Sequence, residues 1–120
     1  MAYTDLNDQS LPDVIGRGLL AVAGGFYEAT LAGDLTLTAE YPLVIRLDPD
    51  GSNRDVTLEA EATSSGMFRM IVNAANGAED LVIKNDGGST IATANQNEAA
   101  LVYCDGTDWR LACLFTAPAS

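Results

Sequence analysis

The feature that most constrains the fold is a two-residue alternation of apolar and polar side chains, which runs from about residue 34 to the C-terminus. In the stretch DVTLEAEA (55–62), alternate positions from Val56 to Ala62 are apolar, and the positions between them, Glu59 and Glu61 included, are polar. Such alternation is typical of β-strands with one buried and one solvated face. We therefore expect Val56, Ala62 and the apolar positions between them in a core, and both glutamates in water.

Seven more short β-rich runs share this character, and turn-forming segments such as DPDGSN, TSSG, NDGG and DGTD separate them. They cover residues 34–40, 43–47, 67–72, 80–84, 89–94, 100–103 and 109–115. Eight or nine strands at intervals of roughly eight to twelve residues are typical of antiparallel sandwiches, jelly rolls and barrels. The sequence thus predicts an all-β chain: an antiparallel β-sandwich or jelly-roll-like barrel over residues 14–120, preceded by an extended arm.

The predicted arm, residues 1–13, is polar and contains no segment able to form a core alone. We expect it to order against a partner, by strand addition or by wrapping. The residues that we expect to contact the partner are Tyr3, Asp5, Leu6, Leu11 and Pro12.

A second segment, LLAVAGGFY (19–27), is free of charge in a chain with net charge −11. Since self-association of so acidic a protein requires a surface depleted of charge, this segment is a candidate subunit interface. The alternative is an inner strand of a monomeric sandwich. The interface residues would be Leu19, Leu20, Val22, Phe26 and Tyr27.

Composition argues against several classes of function. The chain has no histidine and one lysine, Lys84, which excludes histidine-dependent catalytic triads and histidine-containing metal centres. A net charge of −11 disfavours a nucleic-acid partner, and no apolar run approaches the ~20 residues that span a bilayer. The acidic N-terminus does not resemble a signal peptide.

GRGLLA (16–21) fits a dinucleotide pattern but lacks the helix that should follow. We expect neither catalytic residues nor a cofactor; a Glu59–Glu61 carboxylate pair is the formal alternative.

The segment DPDGSNRDVTLE (48–59) partly fits a calcium loop, because Asp48 and Asp50 occupy its first and third positions. The sixth position, which should be glycine, is Asn53, and the eighth, usually apolar, is Asp55. We therefore predict an acidic hairpin loop and no metal site, leaving weak cation binding at Asp48, Asp50 and Asp55 open.

The segment ALVYCDGTDWRLACL (99–113) contains both cysteines and the only tryptophan. Asp-Gly predicts a tight hairpin turn, which would hold the two sulfurs ~14–20 Å apart, too far for a disulfide. With a two-residue loop one face carries Val102, Cys104, Trp109, Leu111 and Cys113, so both cysteines are expected to be small buried hydrophobes. We predict a structural hairpin anchored by Trp109.

These residues also carry a resemblance. DLTLTAEYPLVIRL (34–47) and LVIKNDGGSTIATANQNEAALVYCDGTDWRL (81–111) resemble segments of tailed-bacteriophage structural proteins, most specifically over residues 82–110. Similar modules occur in capsid decoration (cement) proteins and in tail fibres or spikes.

The resemblance implies a non-enzymatic homotrimer on the capsid surface of the virion, made in the host cytoplasm, that binds and stabilises the lattice of the major capsid protein. The alternative is a tail-fibre or tail-tip module that binds a carbohydrate or receptor. In that case Tyr3, Phe26, Tyr27 and Tyr41 would stack on sugars, unless they pack in the core or a subunit interface.

Overall fold

The computed structural model describes residues 26–116, and these residues form nine β-strands and one short 3₁₀ turn without an α-helix. The elements are β1 (Phe26–Thr30), β2 (Leu35–Thr36), β3 (Val44–Asp48), β4 (Arg54–Thr57), the 3₁₀ turn (Glu61–Thr63), β5 (Phe68–Asn73), β6 (Leu81–Lys84), β7 (Thr90–Ala94), β8 (Glu98–Cys104) and β9 (Trp109–Thr116). The all-β prediction is confirmed, and each of the eight predicted runs overlaps one strand, from β2 to β9, whereas β1 lies outside them. The predicted arm, residues 1–13, lies outside the described residues.

The strands form two mixed sheets, one of five strands in the order β1-β3-β5-β8-β9 and one of four in the order β2-β4-β6-β7. From β1 to β6 the chain alternates between the sheets, so that each strand lies parallel to the strand two positions earlier. Paired positions in these parallel strands are 18 to 27 residues apart along the chain, as in Phe26 with Val44 and Arg54 with Leu81. The first six strands thus stack as successive two-strand rungs.

The last three strands complete the sheets in antiparallel fashion: β7 pairs with β6, β8 pairs with β5, and β9 pairs with β8. The prediction of an antiparallel fold is therefore wrong for four of the seven strand pairings, and the sheets do not close into a barrel. The physical reason is that most short turns connect strands of opposite sheets. Side-chain alternation reports which face of a strand is buried, and it carries no information on the direction of the neighbouring strand.

One hydrophobic core lies between the two sheets. The five-stranded sheet contributes Ile45, Leu47, Ile71, Ala100 and Val102, and the four-stranded sheet contributes Val56, Leu81, Ile83, Ala92 and Ala94. The prediction for 55–62 holds for Val56 and Leu58, which are buried, and is wrong for Ala62, which is exposed. The strand β4 ends at Thr57, and the chain then turns through the 3₁₀ segment, which ends the alternation.

Candidate functional site

The β8–β9 hairpin is held at its turn by the carboxylate of Asp105. Its Oδ1 accepts the backbone N–H groups of Thr107 (2.9 Å) and Asp108 (2.7 Å), and its Oδ2 lies 2.9 Å from Nε of Arg110. Hydrogen bonding to Arg110, supported by those two amides, holds the pKa of Asp105 well below its usual range. Gly106 has a φ of 96°, which the four-residue turn requires and which other residues rarely adopt. The predicted structural hairpin is confirmed, with a longer loop than expected.

The two cysteines lie on opposite faces of this hairpin. Cys104 is buried, and its thiol donates weakly to the carbonyl of Glu61 at 3.6 Å. Cys113 is exposed, so its predicted burial is wrong. The pairing shifts by one residue between Leu101 and Val102, which leaves Ala112 as a bulge and turns Cys113 to the opposite face. Both thiols are free in the described chain, as the predicted separation requires.

Glu59 is the acceptor of a nearly buried ion pair. Its Oε1 lies 2.8 Å from Nε of Arg69, and the two side chains are 9% and 0% exposed. The backbone carbonyl of Glu59 also accepts the indole N–H of Trp109 at 2.8 Å. The expectation that Glu59 faces water is therefore wrong. Glu61 lies in the 3₁₀ turn, and the carboxylate of Glu59 is already bound by Arg69, so this geometry offers no free pair of carboxylates.

The acidic segment that follows β3 is a connection between sheets rather than the predicted hairpin loop. The backbone N–H of Asp50 donates to Oδ1 of Asp48 at 2.9 Å, and the carboxylate of Asp55 lies 2.9 Å from Nζ of Lys84. No group of three or more potential metal-ligating side chains occurs among residues 26–116.

The aromatic residues that were expected to stack on a sugar in a tail-fibre module are placed differently. Tyr27 and Tyr41 are half-buried and pack edge to face, with ring centroids 5.0 Å apart. Both rings lie against the core. Tyr3 and the side chain of Phe26 lie outside the described part. The polar groove beside β1 and β3, of about 470 Å³, is lined by Glu28, Arg46, Asp48 and neighbouring small residues, without an aromatic ring among those described.

Most of the other predicted site residues also fall outside residues 26–116. They are the arm residues Tyr3, Asp5, Leu6, Leu11 and Pro12, and the interface residues Leu19, Leu20 and Val22. Phe26 begins β1, and Tyr27 packs as described above.

A surface that the sequence reasoning missed lies on the side of the five-stranded sheet that faces away from the core. We call its apolar part the outer face, which consists of Val44, Phe68, Met70, Val72, Ala99, Leu101, Tyr103, Cys113 and Phe115. Two exposed arginines border it on the same side of the sheet, Arg46 beside Val72 and Arg110 beside Tyr103. The register aligns Val44, Met70, Leu101 and Cys113 in one row across four strands. The available signal was that ALVY is a continuous apolar run and that MFRMIV is interrupted only by Arg69, a pattern typical of strands covered on both sides.

Comparison with protein-family models, with curated proteins and with solved structures gave no match for this chain. Within the described residues, no helix has the length and apolar character needed to cross a membrane.

Proposed function

We propose that this protein is a non-enzymatic structural component of a tailed-bacteriophage virion, which binds the lattice of the major capsid protein and stabilises it as a homotrimeric decoration protein. The observation that carries the proposal is the outer face, a broad apolar surface in a chain of net charge −11. A surface of this kind is suited to contacts between protein subunits, which a homotrimeric virion component requires. The similarity of residues 34–47 and 81–111 to phage structural proteins supplies the class of assembly, the capsid surface as its location and the host cytoplasm as the place of synthesis.

The chemistry-bearing residues support a binding role. The carboxylates of Asp105 and Glu59 bind arginine side chains within the fold, and Asp55 binds Lys84. The Cys104 thiol is buried. These groups hold turns and strand connections together, which agrees with a protein that acts through its surface and requires no cofactor.

We also infer that the two sheets pack as a β-sandwich, because a single core is shared between them. A jelly roll is built from antiparallel strands, so the four parallel pairs favour a sandwich of different connectivity.

In this proposal the arm, residues 1–13, anchors the β-domain to the capsid. Deletion of residues 1–13 should leave the β-type circular dichroism and the melting temperature nearly unchanged while abolishing association with isolated capsids. The matched control is full-length protein incubated with the same capsids. Binding of the truncated protein at the original affinity would remove the arm from the proposal.

A tail-fibre or tail-tip module is the second candidate, and one observation favours it. Among residues 26–116, β1 and β2 are both edge strands at the same end of the stack, and each runs parallel to its neighbour. Parallel rungs of this kind are the repeating unit of elongated solenoids.

The copy number of the chain in purified virions separates the two candidates. Hundreds of copies per particle are expected of a capsid coat, and a few tens at most of a tail component. Absence from purified virions would overturn both.

A further inference from the structure

Hydrophobic patterning would place most apolar side chains of β5 on the core side of the sheet, yet three of the four lie on the other side. Phe68, Met70 and Val72 lie on the outer face, whereas Arg69 and Asn73 are buried with Ile71 on the core side. Both buried polar side chains are hydrogen-bonded, so the orientation is not left with unpaired polar groups. A strand that buries an arginine while exposing Phe68 indicates that its outer side is normally covered.

The strand β9, which is an edge strand within the part of the chain that the structure describes, extends this apolar surface. It presents Phe115 and Cys113 on the outer face and Leu111 and Leu114 on the core side, where they pair with the buried Val102 and Ala100. Leu111 and Leu114 are nevertheless 38% and 41% exposed, so the four-stranded sheet does not cover them. Proteins usually protect a free sheet edge with charged residues or proline, and the last six residues of β9 contain neither.

The exposed apolar area is large for so small a protein. Val44, Phe68, Tyr103, Leu111, Leu114 and Phe115 are each 36–48% exposed. At roughly 200 Å² per large side chain, the exposed parts amount to about 340 Å² on the outer face and about 160 Å² on the core side of β9, and the first value is within the range of the largest patch on a typical monomer.

We propose that the occupant of this surface is a second copy of the same chain, with Leu111 and Leu114 of one subunit packed on the outer face of the next. Charge favours this occupant, because the apolar side chains that would meet are uncharged in both copies. The arginines that border the outer face, Arg46 and Arg110, are ion-paired with Glu28 and Asp105 within their own subunit. The two apolar surfaces lie on opposite sides of β9, so the contact joins different surfaces of neighbouring subunits. Contacts of this kind form rings when the rotation between subunits closes and filaments when it does not, and a trimer is the smallest such ring. This inference rests on the homotrimer of the proposed function and assigns its interface.

Light scattering coupled to size exclusion tests the assignment in the absence of capsids. The wild-type chain should have three times the monomer mass of 12.6 kDa. Leu114→Glu and Phe115→Glu change exposed positions on opposite sides of β9, and each should give folded monomers with unchanged circular dichroism. The control Ser89→Glu places the same charge on an exposed turn of the other sheet and should remain trimeric.

The thiol of Cys113 provides a second measurement. It lies on the outer face beside Phe115, so in the wild-type trimer it should react with a maleimide at least tenfold more slowly than in the two monomeric variants. Buried Cys104 should remain unmodified in all of them, as judged by mass spectrometry.

Several results would overturn the assignment. The wild-type chain could be monomeric, the trimer could survive either β9 substitution, or Cys113 could react equally fast in the trimer and in the variants. The fourth such result is that Val22→Asp dissociates the trimer and the two β9 substitutions do not. Protection of Cys113 only after capsids are added would assign the surface to the capsid protein instead. A trimer that fails to bind capsids would contradict the proposed function and leave this interface intact. Capsid binding by a monomer would contradict this interface and the trimeric state and leave the capsid-binding role intact.

Discussion

Replacing Glu59 by glutamine tests whether the Arg69 ion pair is essential to the fold. The guanidinium of Arg69 is fully buried and donates to Oε1 of Glu59 and to the backbone carbonyls of Thr38, Tyr41 and Pro42. These bonds join β5 to the connection between β2 and β3, and to the segment that follows β4. Glu59→Gln keeps the shape and one acceptor oxygen but leaves a buried positive charge without its counter-ion.

Removal of one member of a buried ion pair typically costs 3–5 kcal/mol, and since glutamine retains a hydrogen-bond acceptor we expect about 3 kcal/mol. Arg69→Met should cost more, because it leaves three backbone carbonyls without their donor, at about 1–3 kcal/mol for each unsatisfied group. The double variant that combines Glu59→Gln with Arg69→Met contains no unpaired buried charge. It should still be less stable than the wild type, because the same three carbonyls lack their donor.

Urea unfolding at pH 7 measures these differences, with circular dichroism and the fluorescence of Trp109 as signals. All variants are compared at one protein concentration, because self-association makes apparent stability depend on concentration. The matched control is Glu28→Gln, which breaks the exposed Arg46–Glu28 pair and should change stability by less than about 1 kcal/mol. If Glu59→Gln is no more destabilising than this control, the reasoning about the buried charge is wrong.

Four further predictions concern Asn73, Asp105, Gly88 and the acidic loop after β3. Asn73→Leu should destabilise by about 3 kcal/mol in the same urea assay, since it unpairs the carbonyls of Glu79 and Ala94 and the N–H of Ala75. Because the pKa of Asp105 is lowered in the folded state, its contribution to stability is complete above about pH 4 and is lost as pH falls toward the folded-state pKa. Asp105→Asn removes this contribution, so the melting temperature of the variant should decline less steeply below about pH 4 than that of the wild type. Gly88→Ala should cost about 1–2 kcal/mol because of its φ of 92°, whereas Gly33→Ala, which also meets open space but without a positive φ, should be neutral or slightly stabilising. Millimolar calcium should raise the melting temperature no more than magnesium does; a calcium-specific rise that Asp50→Asn removes would establish a site in the loop after β3.

The sequence was sufficient to predict most of the strands and insufficient to predict how they pair. Local alternation and turn residues located eight of the nine strands, β2 to β9, and Asp-Gly located the β8–β9 hairpin, whereas β1 precedes the alternating region. The direction of pairing depends on contacts 18 to 27 residues apart, such as Phe26 with Val44 and Arg54 with Leu81, and no local pattern encodes them. A single bulge at Ala112 was enough to reverse the predicted orientation of Cys113.

For the candidate site, the limitation was the assumption that charged residues face water. Glu59 occupies a polar position of a regular alternation, yet it is nearly buried because Arg69 approaches it from the next strand of the chain. Neither residue alone indicates this pairing. The turn residue Asp105 was better predicted, since its partners Thr107, Asp108 and Arg110 are all within five residues of it.

The strand β5 contains a conflict that links the buried pair to the exposed surface. Patterning alone would place Phe68, Met70 and Val72 in the core and Arg69 and Asn73 in water. The observed orientation is the reverse, and Arg69 and Asn73 are tolerated inside because together they donate to five backbone carbonyls and to Glu59. In an isolated monomer, this arrangement forgoes the burial of Phe68, which at 48% exposed is the least covered of the large apolar side chains that the structure describes. Covering the outer face with a neighbouring subunit restores that burial, so the same strand stabilises the monomer through its polar side and the assembly through its apolar side.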